Sequence, residues 1–200
     1  MPPKARITKE MILDTVLDLT RKQGFESVNA RSIAAQLRCS TQPIFTCYAN
    51  MEEMKREFLT FAYAFYENYV QRYGQTFQGD PCLVLPLSYI AFAQQETHVF
   101  QLLFVHDMEL DMAEAKDFYR EAGNGIKAEA FAKALGLPVE QGRRVFLDLF
   151  FYAHGIAVLS AAGKVALQQE TGEKMVASLL SALLLREKQG GEYGGRSLHH

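Results

Sequence analysis

Apolar residues recur at intervals of three and four along most of the 200-residue chain, and the alternation typical of half-buried strands is nowhere sustained. Near the N-terminus, Ile12, Leu13, Val16 and Leu17 follow this spacing, which places them on one face of a helix. The same spacing continues to about residue 188. It predicts an all-α fold of about nine helices, because no segment carries the period that a sheet requires.

Residues that commonly cap helices divide the N-terminal part into three helices. Thr8 can cap the first helix and Gly24 can end it in a left-handed conformation. Asn29 can cap a short second helix, and Ser40 can cap a third over about residues 41–47. Two short helices joined by a tight turn and preceded by a longer one have the spacing of a helix-turn-helix.

A longer helix follows. Asn50 and Glu53 have the spacing of a reciprocal capping box, and the apolar pattern then continues to Gly74. Beyond it, Gly, Pro and acidic breaks separate five more predicted helices, over roughly residues 81–95, 97–106, 111–135, 139–162 and 171–188.

This pattern predicts three parts. Residues 1–50 form a helix-turn-helix head, residues 51–188 form a helical body that binds ligand and dimerises, and residues 189–200 form a disordered tail. The tail is rich in glycine and ends in His199 and His200, which resemble the remnant of an expression tag.

Composition excludes several classes of protein. The chain has 48% hydrophobic and 22% charged residues, a globular composition. Its three cysteines are odd in number and form no CxxC pair, which favours a reducing, cytoplasmic setting. The longest nearly charge-free stretch, residues 149–163, is shorter than the roughly 20 residues that cross a bilayer, so we expect no membrane contact.

The net charge of −2 conceals an uneven distribution. Residues 1–48 contain seven basic and four acidic residues, so the acidic excess lies in the remainder of the chain. A basic head on an acidic body is compatible with nucleic-acid binding through the head alone.

The run SVNARSIAAQLRCSTQPIFTCYANMEEMK, residues 27–55, resembles the DNA-binding head of the TetR family of transcriptional repressors. Ile33 and Ala34 match the inward pair of that family's second helix, and Phe45 and Tyr48 match the aromatic pair that ends its recognition helix. With the apolar spacing before it, the resemblance covers about residues 7–58. It implies a homodimer that binds a palindromic double-stranded DNA operator and releases it when a small-molecule effector binds the body.

The chemistry of the head suggests individual roles. Asn29 with the free N–H groups of the second helix, and Arg31 beside them, could hold a phosphate. Thr41 and Gln42 begin the third helix, the end that faces base edges, and Gln pairs well with adenine. The predicted DNA-binding residues are Lys4, Arg6, Asn29, Arg31, Thr41, Gln42, Phe45, Thr46, Tyr48 and Lys55.

Less specific interpretations of these residues stay open. Gln42 and Thr41 could be solvated surface, Asn29 a simple cap, and Phe45 and Tyr48 head core. Three positions depart from the family pattern: Phe45 replaces a tyrosine, Cys47 a histidine and Met51 a lysine. Each replacement removes a polar phosphate contact, which motivates an alternative function, a ligand-binding or interaction protein of the same fold with weakened operator affinity.

The body is rich in aromatic residues at helical spacing, which predicts an apolar pocket for a hydrophobic effector. The predicted ligand-binding residues are Phe65, Phe92, His98, Phe104, Phe150 and His154, although such aromatic residues, and a histidine flanked by apolar residues like His154, are more often core. The last two helices are apolar on more than one face and predict a dimer interface. Its predicted residues are Phe146, Leu149, Ile156, Leu159, Met175, Leu179 and Leu183.

We expect no enzymatic activity and no cofactor. The chain lacks a Gly-rich phosphate loop, a G-x-S-x-G elbow and an H-E-x-x-H motif. His106 lies close in sequence to several acidic residues, but such clusters between helices are usually solvated links, so we predict no metal site.

Overall fold

The computed structural model describes residues 7–108 and 110–193. These residues form nine α-helices and no strand, which confirms the all-α prediction. In chain order the helices are α1 (Lys9–Gln23), α2 (Ala30–Gln36), α3 (Gln42–Cys47), α4 (Met51–Thr76), α5 (Val84–Gln95), α6 (Thr97–Gln101), α7 (Ala122–Ala134), α8 (Val139–Ala161) and α9 (Gln169–Tyr193). Short 3₁₀ turns cover Phe25–Ser27, Pro81–Leu83 and Ala115–Tyr119, and a π-helical turn covers Leu102–His106.

The predicted caps of α1 and α2 are confirmed. The Thr8 hydroxyl accepts the Met11 N–H at 3.2 Å, and Gly24 ends α1 with a φ of 82°. Asn29 caps α2 in a reciprocal box with Ser32. At α4 the Asn50 side chain accepts the Glu53 N–H at 2.8 Å, and Glu53 in turn accepts the N–H of Ala49, one residue earlier than predicted.

Ser40 does not cap α3, contrary to the prediction. The helix begins one residue later, at Gln42, with Thr41 at the capping position and no side-chain cap bond. A capping side chain accepts the N–H two or three residues after it, which for Ser40 means Gln42 or Pro43, and Pro43 has no N–H to donate.

Two other boundaries differ. The predicted helix 111–135 is interrupted because the Asp117 carboxylate accepts the backbone N–H groups of Ala113 and Glu114, at 3.0 and 2.8 Å, and folds that stretch into a turn. α9 continues to Tyr193, so residues 189–193 of the predicted disordered tail are helical. Residues 194–200 lie outside the described residues.

The chain packs as two units. The first comprises the residues up to Gln71 with Phe92–Met108, and the second comprises Arg72–Ala91 with the residues after Met108. The predicted division at residues 50 and 188 stays a prediction.

The first unit is built on the helices of the head. Its fully buried side chains include Ile12, Ile33, Ile44 and Phe58. Phe25 stacks on Phe58 with ring centroids 5.6 Å apart, so the turn that follows α1 packs against the first half of α4. Ile33 of α2 and Ile44 of α3 therefore fix these two helices to the core of this unit.

The second unit is built on α7, α8 and α9. Gly142 of α8 is buried, and a β-carbon there would lie 2.1 Å from the β-carbon of Ala132 in α7, so any side chain at this position would force one helix backbone to shift. Across α8 and α9, the buried Glu187 carboxylate binds the guanidinium of Arg144 at 2.5 Å, with Arg186 beside it at 3.2 Å. The hydrogen bond from Arg144 lowers the pKa of Glu187.

Among the described residues one helix, α8, is long and apolar enough to cross a membrane by length and composition alone. Mostly buried core helices of soluble proteins pass the same test, whereas 28% of the apolar window of α8 is buried, with Val145, Leu149, Ala153 and Ala157 among the buried residues of the helix.

Candidate DNA-binding interface

α2 and α3 are two short helices joined by a turn over residues 37–41, and Asn29 caps the start of α2. The Asn29 side-chain oxygen accepts the N–H groups of Arg31 and Ser32, both at 3.0 Å. These N–H groups were expected to bind a phosphate, and the cap already uses them. Asn29 thus acts as a cap, and any phosphate binding here falls to the Arg31 side chain.

The turn contains a strained residue. Arg38 has a φ of 52° and is the one residue other than glycine, among those described, with a positive φ. The Cys39 N–H bonds the Ala34 carbonyl at 3.0 Å and the Arg38 N–H bonds the Ala35 carbonyl at 3.2 Å. This pair of bonds is a Schellman motif, which normally places glycine where Arg38 stands.

Sequence reasoning missed Arg38 because a left-handed turn is ordinarily signalled by glycine or asparagine. Its side chain is exposed, as is that of Arg31 in α2. Within the described part of the chain neither guanidinium has a carboxylate within 4.0 Å. Two cations without a carboxylate partner therefore lie in this segment, Arg31 in the first turn of α2 and Arg38 in the turn before α3.

α3 has one buried and one exposed face. Ile44 and Tyr48 are buried in the first unit, at 0% and 1% exposure. Gln42, Phe45 and Thr46, spaced three and four residues apart, are exposed, with Phe45 at 50%. Three of the predicted DNA-binding residues therefore form one surface, which we call the recognition face.

Phe45 and Tyr48 separate into different roles. Phe45 is exposed, so the interpretation of it as head core is wrong. Tyr48 is core, and its buried ring cannot stack on a base, so its predicted DNA contact is not supported. The Lys9 ammonium lies 4.6 Å from the centre of the Tyr48 ring and pairs with Glu57 at 2.6 Å, and burial raises the pKa of Tyr48.

The other head residues predicted to contact DNA do not join the recognition face. The Lys55 ammonium pairs with Asp107 at 2.8 Å, both side chains being partly buried, so it holds the start of α4 to the end of the π-helical turn rather than facing a phosphate. Thr41 is half-buried. Lys4 and Arg6 lie outside the described residues.

The predicted effector residues are divided between the two units. In the first unit Phe65 and Phe92 lie with ring centroids 6.1 Å apart, and Tyr66 packs edge-on against both Phe92 and Phe104, at 5.0 and 4.9 Å. His98 Nδ1 lies 3.1 Å from the Arg21 carbonyl, so His98 ties α6 to α1. Phe92 and Phe104 are buried core, whereas Phe65 and His98 are half-buried.

In the second unit Phe150 and His154 stack with ring centroids 5.6 Å apart. His154 Nδ1 lies 2.9 Å from the Tyr89 hydroxyl, and burial lowers the pKa of His154. Burial therefore favours the neutral imidazole, which is hydrogen-bonded within this unit.

The predicted dimer residues fall into two groups. Phe146, Leu149 and Leu183 are buried within the second unit and belong to its core. Ile156 and Leu179 are half-buried, and Leu159 and Met175 are exposed. Phe151 and Leu185, which sequence reasoning missed, are also exposed, at 49% and 58%.

Next to His106, Asp107 pairs with Lys55, and His106 Nδ1 lies 3.6 Å from Glu26. In the described ranges no group of three or more His, Cys, Asp or Glu side chains could hold a metal ion.

No family model matches the chain, and no curated protein matches it.

Proposed function

We propose that the protein is a DNA-binding transcriptional regulator without enzymatic activity, a cytoplasmic homodimer that represses its target and is released by a small hydrophobic effector. The observation that carries this proposal is the recognition face. Gln42, Phe45 and Thr46 are exposed on a helix whose opposite side, Ile44 and Tyr48, is fixed in the core. A rigidly anchored short helix with an exposed polar and apolar face suits insertion into a major groove.

The residue types support distinct contacts. The Gln42 amide can pair with adenine N6 and N7, and the Phe45 ring and Thr46 methyl can contact the thymine methyl. α3, QPIFTC, contains no lysine or arginine, the residues that most often read guanine. Arg31 and Arg38 supply the sequence-independent phosphate contacts beside it.

A dimer would present two recognition helices to half-sites about one DNA turn, roughly 34 Å, apart, so the operator should be palindromic. Binding of an effector must then favour the state that is released from DNA. If the effector weakens operator binding tenfold, the operator weakens effector binding by the same factor.

The test compares Gln42→Ala with Arg31→Ala on an operator selected from random duplexes. Gln42→Ala should cost about 1–3 kcal/mol on the selected site and little on random DNA. Arg31→Ala should weaken both alike and reduce the slope of log affinity against log salt by about one. Equal losses on both DNAs for Gln42→Ala would contradict the base-reading role.

A second candidate is favoured by the state of Lys55 and Tyr48: a ligand-binding or interaction protein of this fold with weak operator affinity. Lys55 is neutralised by Asp107, and Tyr48 is buried, so two predicted DNA contacts are lost. A gel shift over a range of salt separates the candidates. Failure to select any duplex, even at low salt, would favour the second.

A further inference from the structure

We propose that the second unit carries a binding site for a small organic cation, in a groove between the end of α4 and the start of α9. The groove has a volume of about 370 Å³ and its walls include Tyr73, Phe77, Gly79, Gln169 and Glu173. It contains none of the residues predicted to bind an effector, and its test requires no DNA.

Two aromatic rings form one wall. Tyr73 and Phe77 lie one turn apart and stack with ring centroids 5.8 Å apart and planes inclined by 24°. Both side chains are half-buried, so part of each ring borders the groove. The face of an aromatic ring attracts cations, and alkylammonium groups are bound in this way because their charge is diffuse and weakly hydrated.

Glu173 supplies the charge. Among the described residues that line the groove, it is the one that is acidic or basic. Within the described residues no lysine, arginine or histidine nitrogen lies within 4.0 Å of its carboxylate, and the adjacent Lys174 pairs with Glu170 at 2.7 Å instead. The groove therefore has a net negative charge with no cation of its own to balance it.

Gly79 brings the two recognition elements together. A β-carbon at Gly79 would lie 2.6 Å from the Phe77 ring and 3.1 Å from Glu173 Oε1, so ring and carboxylate approach the same point. The pKa of Tyr73 is raised, first by burial and then by the charge of Glu173, which places that charge close to the aromatic wall as well. An ammonium group held here would meet the rings and the carboxylate at once, while an anion would be repelled.

The test uses calorimetry on the full chain at low ionic strength, with benzyltrimethylammonium as the probe. Saturable binding of one probe per chain is expected, and it should weaken as salt is added because the groove is open to solvent. Glu173→Gln keeps the shape of the side chain and should weaken binding about tenfold. Glu170→Gln is the matched control: it removes a carboxylate from the same helix outside the groove, and binding should be unchanged.

Choline and its neutral isostere 3,3-dimethylbutan-1-ol provide a second measurement on the unaltered protein, which does not depend on a variant folding. Choline should bind more tightly. The proposal is overturned by absence of saturable binding up to about 10 mM probe, the weak end of specific affinity. It is equally overturned by similar affinities for choline and the isostere, or by equal effects of Glu173→Gln and Glu170→Gln.

Discussion

Arg38 holds a backbone conformation that is unfavourable for any side chain. The left-handed region costs a residue other than glycine about 1–2 kcal/mol, and the Schellman bonds to Ala34 and Ala35 keep Arg38 there. No ion pair with a carboxylate compensates for this cost within the described residues. Strain at an exposed cation beside the recognition face is consistent with a role in binding DNA phosphates.

Arg38→Gly should therefore stabilise the folded protein by about 1 kcal/mol, because it relieves the left-handed strain. Arg38→Ala is the control, since it removes the same charge and keeps the strain, so its stability should match that of the unaltered protein. Urea unfolding measures both. If the two variants are equally stable, the turn is not strained in solution. On DNA, both should lower affinity for all sequences alike.

Phe45 is the residue whose exposure gives the sharpest test of base reading. If its ring contacts thymine methyl groups, replacing those thymines by uracil removes the contact and leaves pairing and phosphates intact. We expect about a fourfold loss of affinity per contacted methyl, from about 0.8 kcal/mol for a group of that size. Binding by Phe45→Ala should be insensitive to the same replacement. Uracil at flanking positions is the DNA control, and equal sensitivity of both proteins would exclude the contact.

Among the elements, α7 and α8 depend on a single close approach. Gly142→Ala would place its β-carbon 2.1 Å from the Ala132 β-carbon and 2.6 Å from the Ala132 Cα, so one backbone must move. Overpacking of this kind typically costs about 1–3 kcal/mol.

Gly125→Ala in α7 is the matched control, because its nearest neighbour, the Tyr119 carbonyl oxygen, would lie at an ordinary 3.7 Å. Alanine there should stabilise the protein by about 0.5–1 kcal/mol through helix propensity. The check is thermal unfolding of both variants, with the midpoint lowered for Gly142→Ala and raised for Gly125→Ala. A neutral effect of Gly142→Ala would mean that the helices are not in contact at this point.

For the whole molecule, the exposed apolar residues of the second unit argue for association. Phe151 and Leu159 of α8 and Met175 and Leu185 of α9 are at least 37% exposed. Exposed apolar residues on two neighbouring helices favour pairing with a second copy through a two-fold interface. Light scattering should then report about 45 kDa, twice the 22.6 kDa of the chain.

Phe151→Glu with Leu159→Glu should shift this mass to that of a monomer, because a buried unpaired carboxylate is strongly unfavourable. Ile126→Glu is the control, since Ile126 of α7 is 68% exposed but lies outside the predicted interface. A monomer for the unaltered protein at micromolar concentration would contradict both the dimer and the palindromic operator.

The sequence by itself determined the helical class and most helix starts, because periodicity and caps such as Thr8 and Asn29 act within a few residues. Two local predictions, the Ser40 cap and the helix over residues 111–135, were wrong because the apolar pattern does not encode the interactions that decide them. Pro43 has no N–H to donate to a cap at Ser40, and the Asp117 carboxylate interrupted a helix that the apolar pattern favoured.

Only the tertiary structure decided which face of each helix is covered. Their spacing of three residues predicted the same surroundings for Phe45 and Tyr48, yet packing exposes Phe45 and buries Tyr48. Packing also assigns Phe146, Leu149 and Leu183 to the core of the second unit rather than to a dimer partner. Likewise Lys55 lost its predicted role because Asp107, 52 residues away in sequence, lies beside it. Burial and ion pairing depend on neighbours distant in the chain, and a local pattern carries no information about them.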